Sequence, residues 1–126
     1  MPRFVIQEHH AKKLHWDFRL EMDSVLKSWA IPKQPPKQKG KKRLAVQVED
    51  HELSYINFQG EIPGGQYGAG KVKIWDKGNY KLLTRRKNKI EFNLKGKKLK
   101  GTYVLIKFKK AGPKNWLFFR EKEDKT

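Results

Sequence analysis

Between Gln7 and Glu21 the chain runs QEHHAKKLHWDFRLE, and this stretch holds most of the side chains able to do chemistry. From His15 onward it alternates strictly, with His15, Asp17, Arg19 and Glu21 on one side and Trp16, Phe18 and Leu20 on the other. That is a strand pattern. Successive strand side chains point to opposite faces, so an imidazole, a carboxylate and a guanidinium line one surface while two aromatics and a leucine anchor the other in a core. On a helix, at about 100° per residue, the polar trio would scatter.

Two imidazoles and a carboxylate are a sufficient protein shell for a divalent ion that keeps open positions for substrate. His9, His15 and Asp17 are the expected ligands. Nitrogen and oxygen donors suit manganese, iron, zinc or nickel, and the set does not choose among them. His10 points elsewhere if its segment is extended. Around this centre, Arg19, Lys33, Arg43, His51 and Tyr55 offer groups that clamp phosphate: guanidinium forks bind two oxygens, lysine adds a point charge, and imidazole can bond a phosphate oxygen or protonate a departing one.

The elements that must position these residues are short. Phe4 to Ile6 is expected as a strand delivering Gln7 and His9, His9 to Leu14 as a connection, and His15 to Met22 as the strand above. Ser24 to Ile31 is a short strand or turn stopped by Pro32. Lys33 to Lys42 (KQPPKQKGKK) reads as an exposed loop without apolar anchors. Leu44 to Glu49 alternates, with Leu44, Val46 and Val48 expected inward and Arg43, Ala45, Gln47 and Glu49 opposite. Gly60 to Gly70 and Asp76 to Asn79 carry turn formers, and strand-like runs follow at Asn79–Thr84, Lys89–Leu94, Gly101–Phe108 and Trp116–Arg120. Glu121 to Thr126 is expected to fray. Short strands at this spacing predict an all-β fold, a compact β-barrel or sandwich, with residues 1–126 as one domain.

Bulk composition narrows the partner. Thirty Lys and Arg against thirteen Asp and Glu leave a formal charge of +17, which calls for a polyanion. Nucleic acid is the expected one, since no amphipathic basic helix favours a membrane surface. The absence of cysteine excludes disulfides and thiolate metal sites. With neither an apolar spanning run nor a signal-peptide pattern, a cytoplasmic, monomeric protein is expected. Gly65 to Lys71 nearly spells a nucleotide-binding phosphate loop, but Val72 stands where Ser or Thr would hold magnesium and a β-patterned run follows instead of a helix. Those glycines are expected in a turn.

Taken together, QEHHAKKLHWDFRLE, LKSWAIPK, KRLAVQVEDHELSY and GEIPGGQYGAGKVKIWDKG resemble the 3′-phosphoesterase domain of bacterial ATP-dependent DNA ligase D and its stand-alone prokaryotic versions. The resemblance covers nearly the whole chain. It implies a compact β-barrel enzyme that uses manganese to heal 3′ ends in strand-break repair. A phosphodiesterase step removes a 3′-terminal ribonucleoside to leave a 3′-phosphate, and a phosphomonoesterase step then exposes the 3′-OH. By the same resemblance His9, His15 and Asp17 are metal ligands and Arg19, His51 and Tyr55 hold or activate the scissile phosphate, while Gln7, Lys33, Arg43 and Glu49 support the site. Ligase-linked members carry an N-terminal arm with further polar residues, which this sequence lacks ahead of Phe4. The diesterase step is therefore the activity expected first, with sealing left to a separate ligase or polymerase. The rival expectation is a non-catalytic barrel that stacks single-stranded bases on exposed aromatics such as Trp75 or Tyr80.

Overall fold

The computed structural model describes residues 1–66 and 68–123. Nine strands form one antiparallel sheet: β1 (Arg3–His10), β2 (Leu14–Met22), β3 (Val25–Ile31), β4 (Lys42–His51), β5 (Gly60–Ile62), β6 (Gly70–Arg86), β7 (Lys89–Lys95), β8 (Lys100–Lys107) and β9 (Asn115–Arg120). Neighbours run β1-β2-β3-β4-β9-β8-β7-β6, and β6 pairs back onto β1, which closes an eight-stranded barrel. Closure removes the sheet edges that would otherwise invite pairing with another chain. The short β5 adds to the outside of β6 along Gly60–Ile62. Helical structure among the described residues is limited to 3₁₀ turns at Leu53–Asn57 and Lys109–Ala111, and no helix is long and apolar enough to cross a membrane.

Aromatic rings fill the interior. Phe18 lies 4.9 Å from Phe118, which stacks on Tyr103 at 5.2 Å between centroids. With Phe4, Trp29, Phe92 and Trp116 these make the main core. The alternation of β2 therefore does what its pattern predicts: Trp16, Phe18 and Leu20 join this core, and His15, Asp17 and Arg19 face out through the barrel wall.

Other expectations need correction. β1 continues through His9 and His10, so the connection to β2 is only residues 11–13, and His9 sits directly across from His15. In β4 the phase is the reverse of the expected one. Ala45 is fully buried in the core while Leu44 is exposed, and Val46 and Val48 pair with Ala30 and Ser28 on the outer face. The reason is volume: Trp29 and Trp116, 5.9 Å apart, leave room for a methyl at position 45, and Gln47 accepts the Trp116 indole hydrogen at 3.1 Å.

The loop after β3 is also tethered. Pro35 and Pro36 are buried, and the Tyr103 hydroxyl donates to the Pro36 carbonyl at 2.8 Å. The turn expected at Asp76 to Asn79 is absent, because β6 runs unbroken through it from its β1 pairing to its β7 pairing. Asp76 instead accepts the backbone amides of Lys97 and Leu99, and Gly78 leaves space where a Cβ would strike the Lys95 carbonyl. Gly65, Gly68 and Gly70 have positive φ and lead into β6 rather than a helix, as a turn requires. Tyr67, within the stretch where the turn was expected, and residues 124–126 of the expected frayed tail lie outside the described residues; within the tail, the Glu121 amide donates to the Thr102 carbonyl.

Candidate active site

The site lies on the outer face of β1 to β4, in a cavity of about 370 Å³ bordered by His9, His15, Asp17, Arg19, His51 and Tyr55. A second, smaller apolar cluster builds its wall. Ile56 packs on Val5 and Leu26, with Leu53, Tyr55 and Ile74 around them, and this holds the 3₁₀ turn against the barrel. Burying Ile56 contributes roughly 1.5–3 kcal/mol. Gln7 completes the attachment: fully buried, it donates from Nε2 to the carbonyls of Tyr55 (3.0 Å) and Phe58 (3.3 Å) and accepts from Arg19 Nε at 2.7 Å.

Three lone-pair atoms converge on one point. His9 Nε2 lies 2.7 Å from the Gly68 carbonyl, and His15 Nδ1 lies 3.1 Å from that of Lys13. A carbonyl only accepts, so those nitrogens carry hydrogens and the lone pairs fall on His9 Nδ1 and His15 Nε2. These two atoms stand 3.4 and 3.3 Å from the same oxygen, Oδ2 of Asp17. Donors about 2.1 Å from one cation are spaced about 3.0 Å apart in an octahedral shell and about 3.4 Å in a tetrahedral one. All three ligand atoms lie within 4.8 Å of one another, so the residues present fit a divalent ion, with two carbonyls orienting the rings from behind.

Electrostatics agree with that reading. Burial by itself would raise the Asp17 carboxyl, but the neighbouring His15 and His9 imidazoles and the charge of Arg19 outweigh it and hold the group well below its usual range. The hydrogen bond to Asp17 raises His15 above its ordinary value against the opposing effect of burial.

Arg19 is 3% exposed and held from several sides. Its Nη1 donates to Ser28 Oγ at 2.7 Å and sits 3.1 Å from His51 Nδ1, its Nη2 is 3.5 Å from Asp17 Oδ2, and its guanidinium lies 5.0 Å from the centre of the Tyr55 ring. Burial lowers its pKa, and Asp17 opposes that shift. Three of its five N–H groups are thereby committed, which leaves the Nη2 pair, 3.5 Å from Asp17 Oδ2, beside the cavity that Arg19 lines. His51 Nδ1 also lies 3.2 Å from the Glu49 carbonyl. A charged guanidinium is the stronger partner, so Nδ1 accepts and Nε2 carries the hydrogen. Burial and the Arg19 charge both lower the His51 pKa, and burial raises that of Tyr55.

His51 reaches the site through a bulge. Between the pairs Ser28↔Val48 and Leu26↔His51, β4 has one residue more than β3, which turns His51 to the same face as Val48. Simple alternation would have aimed it inward.

Of the expected site residues, the fold brings Gln7, His9, His15, Asp17, Arg19, Glu49, His51 and Tyr55 together. Lys33 and Arg43 do not line this cavity. Lys33 is exposed just past β3, and Arg43 donates to the Gln34 carbonyl beside a separate depression. His10 turns away to Glu8, 2.6 Å off. Of the aromatics of the rival expectation, Tyr80 is buried with its hydroxyl donating to the Glu21 carbonyl, and Trp75 is partly buried on the core with Lys37 and Lys98 near its ring.

Two participants escaped the sequence reading. Ser28 receives Arg19, and its only signal was a hydroxyl in an apolar run, intelligible once the Arg19↔Ser28 register is known. Gly68 orients His9 from a loop and left no local sign. Its φ is +77° and an added Cβ would stand 3.6 Å from the His9 ring, so Gly68→Ala strains the backbone and displaces the carbonyl. Divalent-ion affinity, measured calorimetrically, should fall about 10–100-fold in that variant, the usual range for a lost outer partner. An unchanged affinity would mean the carbonyl does not orient the ring.

Comparison with known proteins gives this geometry a family. Residues 7–107 match the model of the DNA Ligase D 3′-phosphoesterase domain. The chain is 46% identical, over 98% of its length, to the multifunctional non-homologous end joining protein LigD of Mycolicibacterium smegmatis, of which the match spans 17%. For the protein of the same name from Pseudomonas aeruginosa the identity is 46% over 97% of this chain and 15% of the relative. For the LigD DNA repair protein of Mycobacterium tuberculosis it is 46%, over 97% and 16%. The chain therefore spans less than a fifth of these relatives. Because the matched residues run from Gln7 through every strand that carries the His9, His15 and Asp17 cluster, the chain belongs to the DNA ligase D 3′-phosphoesterase domain family.

Proposed function

We propose that residues 1–126 act as one unit, a manganese-dependent phosphoesterase that heals 3′ ends during end-joining repair of DNA. The first reaction hydrolyses the diester that holds a 3′-terminal ribonucleoside and leaves a 3′-phosphate. A second, monoesterase reaction gives the 3′-OH that a ligase or polymerase takes up. The observation that carries this reading is the convergence of His9 Nδ1, His15 Nε2 and Asp17 Oδ2 beside a buried, pre-positioned Arg19. Family membership and the end-joining role named for the relatives support it.

Bound by His9, His15 and Asp17, a divalent cation supplies Lewis-acid polarisation of a phosphoryl oxygen and activation of water. The chain's own groups do the rest. Arg19 Nη2 donates to a non-bridging oxygen and meets the negative charge that grows there, with no reorganisation because Gln7, Ser28 and His51 already hold the guanidinium. His51 Nδ1 accepts from Arg19 and leaves Nε2–H for the substrate, where it is the acid that protonates the departing oxygen or a donor to a phosphate oxygen. Tyr55 closes the pocket over Arg19 and, kept protonated by burial, donates to the phosphate. Ala30 and Val48 give an apolar wall that keeps water off the ester. Glu49 stands at the cavity edge, and Lys33 and Arg43, outside the cavity, offer cations to the incoming strand.

The test is a primer tipped with one 3′ ribonucleotide, incubated with the protein and a panel of divalent ions. Manganese should yield a product shortened by one nucleoside and ending in phosphate, and chelator should abolish it. If no ion in the panel supports cleavage, the enzymatic reading is wrong.

A further inference from the structure

Away from the site lies the end of the barrel where β2, β6 and β8 finish and β3, β7 and β9 begin. It holds a cavity of about 400 Å³ lined by Lys27, Arg85, Arg86, Lys87 and Lys107 around Trp29 and Trp116. A second depression of about 640 Å³ shares Arg86, Lys87 and Lys107 and adds Lys89, Lys109 and Lys110. Neither is lined by a single acidic residue. Two of the cations are neutralised, Arg85 by Asp23 and Lys27 by Asp50. Arg86, Lys87, Lys89, Lys109 and Lys110 make no ion pair among the described residues, and Lys107 lies over the Trp116 ring at 5.6 Å.

Like charges crowded on one rim raise the energy of the folded chain until an anion arrives, and a polyanion that displaces their counter-ions gains affinity from the release. The mouth is not an isolated patch. Asp50, which holds Lys27 at its rim, directly precedes His51 of the site, so one strand pair carries both surfaces.

We propose that this mouth is a second nucleic-acid contact surface, gripping the phosphodiester backbone several nucleotides upstream of the 3′ end bound at the site. The proposal rests on nucleic acid being the substrate, and it assigns Arg86, Lys87 and Lys107 to phosphate contact, with no base read. It divides the molecule's work: the outer cavity of β1 to β4 takes the terminal nucleotide, and the barrel end takes the strand behind it. Longer strands therefore bind more tightly than short ones, and short esters ignore the mouth.

The experiment compares the full chain with Arg86→Gln/Lys87→Gln/Lys107→Gln and with a control of equal charge loss, Lys81→Gln/Lys95→Gln/Lys100→Gln, on exposed positions away from the mouth. Binding of a fluorescent oligonucleotide of about 20 nucleotides is titrated by anisotropy at several salt concentrations, so that the result does not depend on turnover. The mouth variant should bind at least about tenfold more weakly, with a salt slope shallower by about 0.7 for each phosphate no longer neutralised, or about 2 in total, and the control should stay near wild type. Hydrolysis of a dinucleotide should be unchanged in both variants, while the long primer shows a raised KM in the mouth variant alone. Equal loss in the two variants, no loss in either, or a wild type that binds anionic vesicles but not the oligonucleotide would overturn the proposal. Should the wild type bind as described yet cleave nothing, the enzymatic reading falls and the contact surface stands.

Discussion

Asp17→Asn will fold, bind manganese more than about 100-fold more weakly than wild type, and hydrolyse the 3′-ribonucleotide primer about 10³-fold more slowly or less, beyond what the loss of an outer partner produces. The substitution changes one atom, but that atom is where both lone pairs point. Asp17 Oδ2 stands 3.4 Å from His9 Nδ1 and 3.3 Å from His15 Nε2, and an amide NH₂ there would donate to the imidazoles and satisfy them without a cation. The site then closes on itself.

Its stability follows a definite sign. The folded carboxyl lies below its unfolded value, so Asp17 stabilises the protein above about pH 4, and that stabilisation is lost as pH falls further toward the folded value. In metal-free samples the deficit of Asp17→Asn should be largest at neutral pH and should close in acid, as read from thermal melts. Manganese affinity and turnover both within threefold of wild type would eliminate the proposed centre.

Arg19→Lys keeps the charge and should still lose about 10²–10³-fold in kcat/KM, the range seen when one pre-positioned donor is removed. An ammonium cannot reproduce a planar fork that at once serves Gln7 Oε1, Ser28 Oγ and His51 Nδ1. Two of the acceptors it abandons, Gln7 and Ser28, are fully buried, and each unsatisfied one costs about 1–3 kcal/mol, so the urea midpoint should drop as well. Manganese affinity should fall less than tenfold, because the three ligand atoms are untouched; this separates the variant from Asp17→Asn. If Arg19→Lys retains more than a third of the activity, the fork is not what stabilises the reaction.

How much of this was legible beforehand depended on the range over which each feature is encoded. His15, Asp17 and Arg19 share a face because strand alternation is a two-residue rule, and nothing downstream had to be known. The all-β class followed from the same rule applied to short runs between turns. β4 shows where it stops: Leu44, Val46 and Val48 alternate as clearly as β2, yet the phase is set by Trp29 and Trp116, which crowd the interior and admit only Ala45. The unbroken passage of β6 through Asp76 to Asn79 is of the same kind, since amides 21 and 23 residues away occupy the carboxylate that would have made a turn.

By itself, the order of residues determined that His15, Asp17 and Arg19 share one face of β2 and that a core of aromatic rings backs it, and the charge of +17 set the expectation of an anionic partner. Tertiary structure alone decided that a bulge in β4 turns His51 onto that face, that Gly68 fixes the His9 ring across 59 positions, and that Gln7 ties Arg19 to the 3₁₀ turn. The physical reason is one of reach. Side-chain direction along a strand is a local property of the backbone, whereas hydrogen-bond partners and register are settled only when the barrel closes and each buried polar group must find the donor or acceptor left within range.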